Sequence, residues 1–169
     1  ASAIQGISNL AASSGSTSQQ ASTAMYQLSQ ALAAGTVKLM DWNSVVNAGM
    51  GGEKFQLALK ATAKEMGITV DESKSFRDSL QDGWITADVL NKTLKKFTVE
   101  GAKEYAKAMN YSEEQTKALV EEARSMEDAA TKVKTFTQLW DTMKESVQSG
   151  WGQTWELIIG DFEEAKETL

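Results

Sequence analysis

Proline, cysteine and histidine are all missing from this 169-residue chain. At ordinary usage of ~5%, roughly eight prolines would be expected. Because proline breaks helix interiors and sheet ladders, its absence favours helical segments turned by glycine. Without cysteine there is no disulfide framework and no thiolate, and without histidine the usual zinc constellations are lost. Nucleophilic catalysis by a Ser-His or Cys-His pair is excluded. Basic charge is also short: 17 Lys and Arg face 23 Asp and Glu, a net charge of −6. Such a surface opposes sequence-independent binding to phosphate backbones, so no nucleic-acid partner is expected. No apolar run approaches the ~20 residues of a membrane span, and no basic segment precedes an apolar one at the start. No membrane partner is expected for this stretch. The chain opens without Met and stops at Leu169 inside a helical pattern, so it reads as a piece of a longer protein.

What is present is a repeated phrase of helix, glycine, extended residues and new helix. Its first copy runs Leu32-Ala33-Ala34-Gly35 and then Asp41-Trp42-Asn43. Its second runs Leu80-Gln81-Asp82-Gly83-Trp84-Ile85-Thr86-Ala87-Asp88-Val89-Leu90. Residues 1–16, rich in Ala, Ser and Gly, place Ile4, Ile7 and Leu10 at helical spacing and predict a weak helix or linker. Thr17 with Gln20 fits a capping box, in which each supplies an acceptor to the other's backbone N–H. Ala24, Leu28 and Leu32 mark a face ending at Gly35 as a left-handed stop. Asp41 is expected to cap a short helix through Asn47. Phe55, Leu59, Ala63 and Met66 form the next stripe. Thr69 to Glu72 predicts a second capping box, and Thr86 opens a helix bearing Val89, Leu90, Leu94 and Phe97. Ser112 to Gln115 predicts a third box. Beyond it, apolar residues at 119, 123, 126, 130, 133, 136, 140, 143, 147, 151, 155, 158, 162, 165 and 169 follow the steps of a long bundle or coiled-coil seam. Gly150 and Gly152 interrupt that run, leaving one long helix or a hairpin hinged at 150–152.

No residue presents itself as catalytic, as a cofactor ligand or as a metal ligand. Asp78, Asp82 and Gly83 resemble a calcium loop only faintly, since a loop starting at Asp78 would put Leu80 and Val89 where oxygen donors are needed. The acidic pairs Glu113-Glu114, Glu121-Glu122 and Glu163-Glu164 point about 100° apart on a helix and read as solvated polar faces. Lys92, Lys95 and Lys96 complement a helix C-terminus. The five tryptophans, 42, 84, 140, 151 and 155, sit at turns or on the apolar stripe and read as packing residues. Trp151 and Trp155, with Ile158, Ile159 and Phe162, make a patch larger than one helix can hide. It is expected to dock on another helix or another chain.

Leu28 to Gly35 with Asp41-Trp42-Asn43 resembles a phrase of the phage tail tape measure proteins. The likeness extends through Met66-Gly67-Ile68-Thr69, Leu80-Gln81-Asp82-Gly83 and Ile85-Thr86-Ala87-Asp88-Val89-Leu90. It continues to Gly160-Asp161-Phe162-Glu163-Glu164-Ala165-Lys166, so that it covers roughly residues 24–169. Two departures, Asp82-Gly83-Trp84 and Met50-Gly51-Gly52, fall in turns. The resemblance implies a structural role: a long helical chain inside the tail tube, whose length sets tail length and which leaves ahead of the DNA. It implies no enzyme and no cofactor in this stretch. The implied partners are other copies of the chain, tail tube, tail-tip or baseplate proteins and an assembly chaperone. The implied place is the virion tail, assembled in the bacterial cytoplasm.

The expected fold is all-α, with short helices joined by Gly turns in a compact bundle and a long amphipathic C-terminal helix or helical hairpin. Residues 1–16 would form the weak helix or linker, 17–111 the multi-helix module and 112–169 the long helices. The reading from another class is a generic helical adaptor that takes a partner helix in a groove. The parent sequence around this stretch separates the two readings.

Overall fold

In a computed structural model, residues 3–132 are described, and side-chain hydroxyls set where several of the helices begin. They form α1 (Ala3–Ser13), α2 (Ser18–Ala34), α3 (Leu39–Asn47), α4 (Glu53–Glu65), α5 (Phe76–Ser79) with a 3₁₀ turn at Leu80–Asp82, α6 (Ala87–Lys95), α7 (Val99–Ala108) and α8 (Glu113–Lys132). The fold is all-α, with no strand among the described residues. Ahead of α2, Thr17 Oγ1 accepts from the Gln20 N–H at 3.1 Å while Gln20 Oε1 accepts from the Thr17 N–H at 2.9 Å. Ser112 and Gln115 repeat this box ahead of α8 at 3.1 and 2.9 Å. Thr86 caps α6 by accepting from the Val89 N–H, and Thr98 caps α7 by accepting from that of Gly101. Each bond satisfies a first-turn donor that has no partner within its helix.

Three local expectations are corrected. The third helix begins at Leu39, so Asp41 is its third residue and not its N-cap. Its carboxylate instead accepts from the Lys38 N–H at 2.9 Å, where an acid also complements the helix dipole. Thr69 to Glu72 does not open a helix. Asp71 turns its carboxylate onto the Ser73 N–H and hydroxyl at 3.0 and 2.6 Å, and this local turn replaces the box. The helix that follows is capped by Ser75, whose Oγ accepts from the Asp78 N–H at 3.1 Å. Gly35 ends α2 at φ 141°, ψ −80°, outside the left-handed helical basin, whereas Gly83 does adopt it at φ 67°, ψ 34°. A side chain at either position would be strained.

The two glycine phrases meet in space. The Val37 N–H donates to the Ile85 carbonyl at 3.1 Å, and both side chains are buried. Their tryptophans reach one aromatic cluster. Trp42 lies 4.6 Å from the Phe76 ring centroid and 5.6 Å from that of Phe55, and Phe76 meets Trp84 edge-on at 5.7 Å. Phe55 continues the chain of rings to Phe97 at 6.1 Å. Trp84 satisfies its indole N–H on Ser79 Oγ at 3.0 Å, so neither of these tryptophans leaves a platform outside.

Helix α1 is drawn deeper than its composition suggests. Ile7, Leu10 and Ala11 are buried, and the helix packs against α2, α6 and α8. Its small residues permit the approach. Asn9, also buried, donates from Nδ2 to the Phe97 carbonyl at 2.8 Å and accepts from Gln5 Nε2 at 2.8 Å. The bond to Phe97 satisfies a backbone acceptor just beyond α6. On the other side α8 lays Val120, Ala123, Met126 and Ala130 against α1 and α7. Of the seam predicted for the last third, Ala123, Met126 and Ala130 are buried and Leu119 is half-buried, and the positions from 133 onward lie outside the described residues.

Candidate interaction surfaces

The five residues singled out as an interface, Trp151, Trp155, Ile158, Ile159 and Phe162, lie outside the described residues, as do Trp140, the pair Glu163-Glu164 and the hinge at 150–152. Of the remaining acids, Glu113, Glu114, Glu121 and Glu122 are exposed on α8. Asp82 is held by Lys74, whose Nζ lies 3.0 Å from Oδ1. That bond lifts the Lys74 ammonium above its usual range, while the Ser73 hydroxyl and N–H pull the Asp71 carboxyl down. Asp71, Asp82 and Lys74 are solvated groups with local partners, and among the described residues no cluster of three or more carboxylates is brought together.

A concave surface with apolar lining is built on α4. This helix buries Phe55, Leu59, Thr62 and Ala63, which turns Leu57 outward at 57% exposure. On one side of Leu57 a cleft of about 230 Å³ opens between α4 and α8, lined by Ala58, Ala61, Phe97, Leu119, Ala123 and Met126 among others. Lys54 and Glu122 bridge its rim at 3.1 Å. On the other side Lys60, Lys64, Ile68 and Val70 surround a second, more open hollow. Sequence periodicity missed this surface because Leu57 falls off the buried stripe of α4. An isolated exposed leucine carries no signal until the neighbouring helices are placed.

Lys96 closes the inner end of the cleft. It follows α6, and the sequence groups it with Lys92 and Lys95 as a cation complementing the helix C-terminus. Lys92 and Lys95 do lie in the last turn, but Lys96 turns inward to 13% side-chain exposure. Its Nζ stands 3.3 Å from Glu65 Oε2 and 3.9 Å from the Tyr105 ring centroid. The ammonium is enclosed and finds no well-aligned acceptor, so the contact with Glu65 is ionic rather than a directed hydrogen bond. Burial pushes the Lys96 pKa down, against the pull of Glu65. Burial, then the hydrogen bond and charge of Tyr111, push the Tyr105 phenol up to about 12.

Removing one partner of an enclosed pair leaves the other charge unsolvated, while removing the cation relieves that cost. Glu65→Gln is therefore expected to lower the unfolding free energy by about 1–2 kcal/mol, a figure reduced for the partial exposure of Glu65. Lys96→Met, which keeps the apolar stem, should be neutral or stabilising. Urea unfolding of the two variants checks this, and equal losses in both would show that the buried ammonium carries no desolvation cost.

Comparison with known proteins decides the family. Residues 1–126 match the family described as Tape measure protein. The chain belongs to that family. The matched span runs from α1 through Met126 of α8, so it takes in the aromatic cluster, both glycine phrases and the cleft lining. It also reaches back over α1, which the sequence phrases beginning at residue 24 did not cover. No curated protein and no solved structure matches the chain. Among the described residues of this tape measure domain, no helix is long and apolar enough to cross a membrane.

Proposed function

We propose that this domain is a structural part of a phage or prophage tail, within a longer ruler protein that sets tail length and is released during genome ejection. The match to the tape measure family over residues 1–126 carries this reading. The acidic balance of −6 supports it, because a passenger that must leave the tube ahead of DNA is hindered by a phosphate-binding surface. Its partners on this reading are copies of itself, the tail tube, tail-tip or baseplate proteins and an assembly chaperone, with no substrate, cofactor or catalytic step in this stretch. Trp151, Trp155, Ile158, Ile159 and Phe162 are proposed as an interface. Length is the measurable quantity. Drawn out as continuous helix at ~1.5 Å per residue, about 130 residues span roughly 195 Å. Folded as a compact domain with a radius of gyration near ~14 Å, they span only about 35 Å.

In-frame deletion of residues 3–132 from the parent, followed by electron microscopy of the tails, tests the reading. Shortening by about 195 Å is expected if the domain is drawn out along the tube, and by about 35 Å if it rides folded. Tails of unchanged length would remove the measuring role.

A further inference from the structure

We propose that residues 151–165 fold back within the same chain and seat their apolar stripe on the α4 surface around Leu57. The inference rests on the reading of Trp151 to Phe162 as an interface and names the surface that receives it. Leu57 stands 57% exposed between two hollows, and the more enclosed one, about 230 Å³, has room on the scale of one or two large side chains. Its floor and walls are Ala58, Ala61, Phe97, Leu119 and Met126, apolar groups that a tryptophan and an isoleucine would remove from water.

Charge agrees with this occupant. Of the lysines lining the two hollows, Lys54 and Lys60 pair with Glu122 and Glu72 and Lys96 is enclosed against Glu65, which leaves Lys64 as a lining lysine with no ion pair among the described residues. The segment from 151 to the end interleaves Trp155, Ile158, Ile159 and Phe162 with Glu156, Asp161, Glu163, Glu164 and Glu167, and its one basic residue is Lys166. Acids flanking the stripe would meet Lys64 and the solvent-facing Lys54 and Lys60, which steers the approach. Sequence length permits it. Eighteen residues separate Lys132 from Trp151, and 19 chain steps reach up to ~60 Å, beyond the ~35 Å breadth of the domain. A tether of that length holds the segment at an effective concentration in the millimolar range, which favours its own domain over a second copy in dilute solution.

Because the chain has no cysteine, introduced pairs report cleanly. The full chain carrying Leu57→Cys and Ile158→Cys is oxidised at micromolar concentration and resolved on a non-reducing gel. A monomeric crosslinked species is expected, forming at least about tenfold faster than in a control pairing Ile158→Cys with Gln30→Cys on the exposed face of α2. Adding Lys60→Glu and Lys64→Glu should slow the crosslink, and circular dichroism confirms that each variant is folded. Disulfide-linked dimers in place of monomers would overturn the internal docking while leaving the interface reading intact. No crosslink above the control, together with monomeric sedimentation of the parent, would overturn both. Neither result bears on tail length, which the deletion measures separately.

Discussion

Trp42→Ala is expected to remove about 3–5 kcal/mol of folding free energy, the range for deleting a fully buried ring. Trp42 is 1% exposed and joins α3 to the rest of the core through Phe55 and Phe76, at centroid distances of 5.6 and 4.6 Å. Its loss takes away the transfer free energy of a fully buried indole. It also leaves a cavity between three elements whose positions are fixed by other contacts: Phe76 by Trp84, Phe55 by Phe97, and the two glycine phrases by the bond from Val37 to Ile85. These anchors prevent collapse into the gap, which places the cost toward the upper end of the range. Since small domains are stable by only about 5–15 kcal/mol, the variant should lie close to half-unfolded in mild denaturant. Urea unfolding followed by far-ultraviolet circular dichroism measures this. A loss below about 1 kcal/mol would mean that the aromatic cluster is not the stabilising centre of the fold.

How much of this was legible in the sequence divides by range. The boxes at Thr17 and Ser112 are bonds between residues three apart, so a residue type at a fixed spacing is nearly the whole cause. Packing of Trp42 and Trp84 was legible because large rings beside turns have few other places to go. The misreadings at Asp41 and Thr69 came from the same local grammar. Asp41 and Asp71 both find backbone donors, but the choice between a cap, a third helical position and a freestanding turn depends on where the next helix is held. Alternation of apolar residues cannot report that. The depth of α1 was out of reach for a different reason: its decisive contact joins Asn9 to Phe97, 88 residues away. The α4 surface was equally silent, because it is defined by the gap between α4 and α8 and not by any run of residues. The proposed interface at Trp151 to Phe162 was visible only as an excess of apolar area, and the family match ending at residue 126 leaves it to the crosslinking experiment.

Gly6→Ala carries the second large expected effect, and its origin is purely steric. A Cβ built on Gly6 would sit 1.7 Å from the Leu94 carbonyl oxygen and 2.5 Å from its carbon. Those atoms are backbone in the last turn of α6, so no side-chain rotation relieves the clash. Helix α1 would have to withdraw by more than an ångström along the whole contact. Withdrawal breaks the 2.8 Å bond from Asn9 to the Phe97 carbonyl, and both groups are then buried or half-buried without partners. It also loosens Ile7 and Leu10 from the core and removes the face on which α8 packs. Overpacking alone costs about 1–3 kcal/mol, and the lost hydrogen bond adds to it, so a total of about 3 kcal/mol or more is expected. For a domain of this size that corresponds to a fall in Tm of roughly 10 °C. The pattern of damage distinguishes this from general instability. Because α1 contributes no ring to the aromatic cluster, limited proteolysis should cut first in the turn at 14–16, while tryptophan fluorescence from the core persists. A Tm within about 2 °C of the parent would show that α1 stands farther from α6 than the Leu94 contact requires. The same outcome would weaken the argument that a segment rich in Ala, Ser and Gly is built for close approach rather than left as a linker.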